Sequence, residues 1–463
     1  MVEKLFGTDG VRGVANVFPM VPEFALKLAQ AAAASICQKH KRAAIAKDTR
    51  ISGDMLEAAL IAGFAASGIE VVRLGVLPTP AVTMLAPELE VDLAVMITAS
   101  HNPYHDNGIK LIGADGNKLS DAETSRIEAL VAGGQPSSDP EHIGRVVTNK
   151  TAVARYEQKI KSRFAGVPLK GMKIVLDCAN GAFAGFAPDL LRSLGAEVVA
   201  VGIAPDGRNI NLNCGSTATQ LMQDTVVAEK ADMGIALDGD GDRIIVCDDL
   251  GRRLDGDQIL AFLGGYLHRN GALRAGTVVA TVWSNLGLEK YLNNLGIRYL
   301  RTAVGERYVT EKMRETGSNF GGEESGHMVQ FDFGPTGDGL VTGITMAAGI
   351  LQSGKKMSEI FPVFEKCPCE IKNLRFPNKE IIAKVMNDAI VQAVVGESSQ
   401  MAEAVGGSVI VRKSGTEPLI KIRVEAEDAA GGGGGGGCGC CGRGSRKNCG
   451  KNFRIYVELT KGW

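Results

Sequence analysis

Three aspartates at alternate positions, Asp238, Asp240 and Asp242, separated by glycines and followed by Arg243, are the densest chemistry in the chain. They lie in MGIALDGDGDRIIVCDD, residues 233–249, between two apolar, strand-like runs. Three carboxylates brought this close repel one another unless a cation joins them, and an all-oxygen ligand set suits magnesium or calcium. A calcium-binding EF-hand loop would want Gly at its sixth position and Glu at its twelfth, between helices. Here Arg243 and Asp249 hold those places. An acidic solvated turn accounts for Asp-Gly dipeptides, but not for three alternating Asp capped by Arg.

Three further loops carry reactive or recognising groups. In ITASHNPYHDNGIK, residues 97–110, Ser100 stands between a small Ala99 and a polar His101, and Pro103 keeps a helix from absorbing the segment. Alone it reads as a turn, and a Ser beside a His in sequence is no triad. In GGEESGH, residues 321–327, Glu323, Ser325 and His327 alternate. Such mixed donors and acceptors suit sugar hydroxyls, although a polar turn is the default reading. In RKSGTEP, residues 412–418, Arg412, Ser414 and Thr416 surround Gly415. A guanidinium fork, two hydroxyls and open backbone amides suit a phosphate, but basic glycine turns are also common on surfaces.

The elements that must position these loops repeat along the chain. AAIAKDTR followed by an apolar-periodic stretch and GIEVVRL, residues 43–74, reads as strand, helix, strand. The pattern returns at 173–202 and at 278–300, and in each copy a glycine, Gly68, Gly195 or Gly296, ends the helix. Three βαβ units imply three similar α/β domains with mixed or largely parallel sheets, whose ligand loops lie beyond the carboxyl ends of strands. Generic α/β periodicity in one large sheet is the alternative. From 366 to 428 the rhythm changes to a strand, a helical run through Ile382, Val385, Met386, Ala389, Ile390 and Ala393, and two more strands, a smaller α+β domain. The expected division is therefore 1–150, 151–255, 256–365 and 366–428, followed by a glycine-rich tail, 429–463, in which FRIYVEL at 453–459 reads as one more strand.

Size and composition agree. At about 150 residues per domain, 463 residues imply roughly three domains. Hydrophobic residues make up 45% and charged residues 22%, ordinary values for a globular chain. No apolar run is long enough for a bilayer, and MVEKLFGTDG lacks the basic and apolar regions of a secretory signal, so a cytoplasmic protein with no membrane partner is expected. Net charge is −1, and the last 35 residues carry six Lys or Arg against one Glu, which leaves the rest near −6 and argues against nucleic acid. The ten cysteines show no paired CxxC spacing, so reduced thiols are expected rather than a disulfide frame or zinc site.

Taken together, the four loops resemble those of the alpha-D-phosphohexomutase superfamily, from LFGTDGVRG at 5–13 through VEAED at 424–428. TASHNP is similar to its phosphoserine loop, DGDGDR to its metal loop, GEESGH to its sugar loop and RKSGTEP to its phosphate loop. FGTDGVRG, KDTRISG at 47–53, NGIKLIGADGNKL at 107–119 and VGERYV at 304–309 look most like the bacterial members that interconvert glucosamine 6-phosphate and glucosamine 1-phosphate. Those members more often carry an amide or Met where Glu324 stands, and the family continues into a closing helix where this chain has polyglycine.

The resemblance implies that one magnesium ion is held by a phosphorylated Ser100 with Asp238, Asp240 and Asp242. It implies that the phosphoserine donates to a sugar hydroxyl, giving glucosamine 1,6-bisphosphate, which turns around and returns the other phosphate. Arg243 and Lys110 supply positive charge, and Arg12, His101 or Lys110 would serve as general acid and base, with His327 as a further candidate. The partners implied are small sugar phosphates, with glucose and mannose phosphates as alternative substrates; a homo-oligomer is compatible with all of this. Two rivals are a metal-dependent phosphatase, in which water accepts the phosphate, and a sugar-phosphate sensor, against which Ser100 and the three Asp argue together.

Overall fold

Leu56, Leu60 and Phe64 recur every fourth residue in SGDMLEAALIAGFAA, and all three are fully buried along one face of a helix. That helix links two parallel strands in the computed structural model, which describes residues 5–7, 9–133, 137–166, 169–404, 406–413 and 418–426. Removing a side chain such as Leu60 would cost about 2–5 kcal/mol, because the closed interior cannot fully collapse onto the gap.

The first sheet comprises β1 (Val11–Val14), β2 (Arg42–Lys47), β3 (Glu70–Val76), β4 (Leu93–Ile97), β5 (Asp106–Gly113) and β6 (Val146–Thr148). Helices α1 (Pro22–Ser35), α2 (Ser52–Ala66), α3 (Thr79–Leu85) and α4 (Asp121–Gly133) accompany it. The second comprises β7 (Lys173–Asp177), β8 (Glu197–Val201), β9 (Met233–Leu237), β10 (Ile244–Asp248) and β11 (Arg253–Leu254), with α5 (Ala152–Arg163), α6 (Ala187–Ser193) and α7 (Gln220–Glu229). The third comprises β12 (Thr277–Thr281), β13 (Arg298–Thr302), β14 (Phe320–Gly322) and β15 (Met328–Gln330), with α8 (Gly256–Arg269), α9 (Leu286–Asn294), α10 (Glu306–Thr316), α11 (Gly339–Ser353) and α12 (Met357–Ile360).

The repeat runs further than the βαβ unit visible in sequence. Strand orders β5-β4-β2-β3, β10-β9-β7-β8 and β15-β14-β12-β13 recur within the three sheets. In each, the third strand of the repeat pairs parallel with the first, and the fourth turns back antiparallel on the third. The sheets are thus mixed: a parallel interior with an antiparallel edge. The serine, aspartate and Glu-Glu-Ser loops occupy the same place in all three copies, the connection from third strand to fourth. Strands β4 and β9, which lead into the first two, are buried at every residue, so their carboxyl ends are rigid platforms. Gly68, Gly195 and Gly296 all adopt positive φ, +78, +100 and +73, as helix-ending glycines do.

The chain divides into two compact units, one of residues 1–281 and 292–363 and a smaller one of 282–291 with 364–463. Among the described residues, the smaller unit holds an antiparallel sheet of β16 (Cys369–Arg375), β17 (Ser408–Lys413) and β18 (Leu419–Glu425) in order β16-β18-β17. The single helical run expected from Ile382 to Ala393 is two helices, α13 (Lys379–Asn387) and α14 (Ala389–Glu403). Asp388 breaks it: its extended backbone leaves its carboxylate free to cap the amides of Ile390 and Val391. Ile382 and Val385 pack on Ile420 and Ile422, whereas Ile390 is 76% exposed, off the apolar face assumed for it. FRIYVEL and the tail from 429 lie outside the described residues.

Candidate active site

The loop from β9 to β10 brings Asp238, Asp240 and Asp242 together, all buried, with one oxygen of each within 4.8 Å of the others. Two glycines allow this. A side chain at Gly239 would meet the Ser100 carbonyl at 2.7 Å, and Gly241, at φ +74, lies where a Cβ would strike the Phe183 ring at 2.0 Å. The loop from β4 to β5 delivers Ser100, 1% exposed, whose Oγ donates to Asp238 Oδ2 at 2.6 Å.

Lys110, on β5, is the counter-charge. Its Nζ donates to Asp240 Oδ2 at 2.7 Å and to Asp242 Oδ2 at 3.0 Å, and lies 3.3 Å from Asp9. Burial alone would lower its pKa, but Asp240, Asp242 and Asp9 hold it well above the usual lysine range. Burial and the other two carboxylates push Asp238 well above its ordinary range. Asp242, although buried, is held well below it by Lys110, His327 and Arg243. Arg243 donates its amide to Asp238 Oδ1 at 3.1 Å, and its Nε lies 3.9 Å from Asp242. Thr79 Oγ1 donates to Asp240 Oδ2 at 2.6 Å.

Asp240 Oδ1 and Asp242 Oδ1 are buried with no hydrogen-bond partner. Unsatisfied carboxylate oxygens in a buried all-oxygen cluster fit a hard divalent cation, which would take the place that protein donors leave open.

His101 Nδ1 lies 3.4 Å from Ser100 Oγ, and burial, then Arg243 and Arg12, lower its pKa to about 3. Arg12 pairs with Asp9. Asp9 also accepts from Lys118 at 2.6 Å, and Lys118 reaches on to Glu306. Asp9, Lys118 and Glu306 lie in the segments FGTDGVRG, NGIKLIGADGNKL and VGERYV, but no charge role was read for them, and the fold shows that they extend the charged cluster.

The third loop is a hairpin turn, so Glu323, Ser325 and His327 do not simply alternate on a strand. Glu323 Oε1 accepts from the Gly305 amide at 3.0 Å, and Ser325 is half-buried. His327 is enclosed: its Nε2 lies 3.1 Å from both Glu306 Oε1 and the Gly337 amide, and its Nδ1 lies 3.7 Å from Asp242. Burial would lower its pKa, but Glu306 and Asp242 raise it to about 10. Charged, the ring donates from Nε2 to Glu306; neutral, it accepts there from the Gly337 amide.

In the smaller unit, Arg412 lies on β17 with its guanidinium 4.7 Å from the centre of the Trp283 ring. Ser414, Gly415 and Thr416 lie outside the described residues. The six cysteines among the described residues are free thiols.

A seryl hydroxyl set on buried carboxylates and ringed by Lys110, Arg12 and Arg243 is an arrangement for phosphoryl transfer on a threefold-repeated α/β frame. The chain belongs to the phosphoglucomutase/phosphomannomutase family. Residues 3–137, 154–251 and 255–367 match its alpha/beta/alpha domains I, II and III, and residues 371–432 match its C-terminal domain. Over 434 residues the chain is 50% identical to the phosphoglucosamine mutase of Paramagnetospirillum magneticum, covering 92% of this chain and 96% of that one. The phosphoglucosamine mutase of Rhodospirillum centenum is 49% identical over 438 residues, 92% of each. Among solved structures, a family protein from Burkholderia thailandensis matches with TM-score 0.78 at 24% identity, covering 99% of this chain and 98% of that one. Aspergillus fumigatus N-acetylphosphoglucosamine mutase, solved in complex with GlcNAc-6P and magnesium, shares the fold at TM-score 0.60 and 16% identity over 99% of this chain and 95% of its own.

Proposed function

We propose that the chain is a mutase that interconverts glucosamine 6-phosphate and glucosamine 1-phosphate through a phosphoserine at Ser100, in the supply of amino-sugar nucleotides for the cell wall. The observation that carries this reading is Ser100 Oγ at 2.6 Å from Asp238 within the buried carboxylate cluster. The phosphoglucosamine mutase relatives, near half identical over most of the chain, support glucosamine as the sugar.

In the forward half-reaction the bond between phosphorus and Ser100 Oγ breaks as the sugar's free hydroxyl oxygen bonds to the same phosphorus. The hydroxyl proton passes to a base on the chain, and Ser100 is left with the bonding electrons. The glucosamine 1,6-bisphosphate so formed turns around, and the reverse step moves its other phosphate to Ser100. A phosphoserine carries about −1.5 to −2 charges, which Lys110, Arg12 and Arg243 offset. Mg2+, for which phosphorylated Ser100, Asp238, Asp240 and Asp242 offer oxygen donors, would supply further neutralisation when bound.

Of the candidate bases, Lys110 is committed to carboxylates and Arg12 to Asp9. We assign to His101, whose Nδ1 lies beside Ser100 Oγ, the proton of that oxygen: it returns a proton to Ser100 Oγ as the phosphate leaves and takes it again when Ser100 accepts the other phosphate. Glu323 and Ser325 take the sugar hydroxyls. His327, held between Glu306 and Asp242, orients the carboxylates instead. Arg412, Ser414, Gly415 and Thr416 hold the non-reacting phosphate. The domain limits 1–150, 151–255, 256–365 and 366–428 go with this division of labour, one loop to each.

No described helix is long and apolar enough to cross a membrane. A cytoplasmic location follows from the substrates, since charged sugar phosphates do not cross bilayers unaided. The test is product analysis: isomerised sugar phosphate supports the mutase, and accumulating free phosphate points to a phosphatase.

A further inference from the structure

Ser100 has φ +54, a left-handed conformation that residues with side chains seldom adopt. Such a conformation persists where its surroundings over-determine it. The Ser100 amide donates to Thr98 Oγ1 at 2.9 Å, and Thr98 Oγ1 donates to Asp48 Oδ2 at 2.6 Å. The Ser100 carbonyl accepts from Arg50 Nη2 at 3.0 Å and from Asn211 Nδ2 at 2.9 Å.

Arg50 does more than hold one carbonyl. Its Nη2 also donates to the Asn102 carbonyl at 2.8 Å, and its Nη1 donates to the carbonyls of Asp106, at 3.0 Å, and Pro103. Its Nε donates to Asp48 at 2.9 Å, and both side chains of that pair are fully buried. One planar guanidinium thus ties together four carbonyls of the loop, a geometry that no lysine can span. Asn211, from the connection between β8 and α7, reaches the same loop, donating to the Asn102 carbonyl at 3.0 Å.

Such a clamp serves a serine that must both give and receive a phosphate. Ser100 Oγ must present its phosphate in line with one end of the sugar and later receive the other phosphate at the same point, while its charge changes by about −1.5 to −2. Arg12, His101 and Lys110 act through side chains around the reacting group and do not hold the backbone that carries it. We propose that Arg50, assisted by Asn211, is a positioning residue that locks the carbonyls of the 100–106 loop, so that Ser100 Oγ keeps one location through both phosphoryl transfers. This rests on the mutase reading.

Arg50→Lys keeps the charge and loses the span; Asn211→Gly removes the amide yet tolerates the φ of +57 found there. Each variant is purified as the full chain and read in two ways. Amide hydrogen exchange should quicken at least about tenfold at 98–106 in Arg50→Lys with the three sheets unaltered. In steady state, kcat should fall about a hundredfold in Arg50→Lys and about tenfold in Asn211→Gly, with KM for the sugar phosphate within about twofold. Unchanged exchange at 98–106, or unchanged kcat, overturns the proposal. A rise in KM at constant kcat does so too, since it would place these residues in binding. Should Arg50→Lys fail to fold, both readings of Asn211→Gly decide. A wild-type chain without mutase activity would sink the functional reading itself, and the exchange arm would still show whether Arg50 holds the loop.

Discussion

Ser100 Oγ and Asp238 Oδ2, 138 positions apart in sequence, lie 2.6 Å apart in the fold, and burial together with Asp242 and Asp240 pushes that Asp238 carboxyl well above its usual range. Phosphorylation replaces the donated proton with about −1.5 to −2 charges against the cluster. Phosphorylated protein should therefore depend on a divalent cation for its stability more than unphosphorylated protein does. Intact-mass spectrometry separates the two forms, and Ser100→Ala should lack the added phosphate. Chelation should lower the melting temperature of the phosphorylated form further; equal shifts would contradict the placement of Ser100 on the cation site.

Asp240 accepts from Lys110 and Thr79 through one oxygen and leaves the other buried and unpartnered. Asp240→Asn removes a charge with little change of volume. Turnover should fall on the order of a hundredfold or more while the circular dichroism spectrum stays the same. Full activity in excess chelator would rule out the metal role.

For Arg412, the expectation combines charge and shape. Losing its charge-assisted hydrogen bond to a phosphate costs about 1.5–3 kcal/mol, roughly ten- to a hundredfold in kcat/KM for Arg412→Ala. Because the guanidinium also lies over Trp283, Arg412→Lys should recover only part of the loss. Unaltered kinetics in Arg412→Ala would make the segment an ordinary surface turn.

Asp338 caps α11 and accepts from Tyr156 Oη at 2.6 Å, and burial raises its pKa to about 6. The native state then binds more protons than the unfolded chain between about pH 4 and 6, so this residue's contribution to stability falls as pH rises through that window, by up to about 1.4 kcal/mol per unit. Asp338→Asn keeps an acceptor and does not titrate. Denaturant unfolding should show wild type losing stability relative to the variant from pH 4 to 6 and levelling above; parallel curves would contradict the raised pKa.

Asp238, Asp240 and Asp242 were legible because ligand chemistry and close spacing coincide in one short segment. The repeat was legible only as far as its βαβ core: the run that forms β10 read as a strand, but β5, β10 and β15 follow loops rather than helices, so nothing in sequence marked them as the antiparallel fourth strands of one repeat. Arg50 and Asn211 were not legible as a clamp: their partners are backbone carbonyls about 50 and 110 residues away, and a carbonyl has no sequence signature. The local rule that extended the helical run through Ile390 failed at Asp388, where a cap outweighed periodicity.

The central claim is tested most directly by incubating the full chain with magnesium, a bisphosphate activator and, separately, the 6-phosphates of glucosamine, glucose and mannose, while following both the 1-phosphate and free phosphate. The account predicts that glucosamine 1-phosphate forms fastest, with free phosphate at background, and that Ser100→Ala forms none. Release of free phosphate in step with substrate loss, or full turnover by Ser100→Ala, would contradict it.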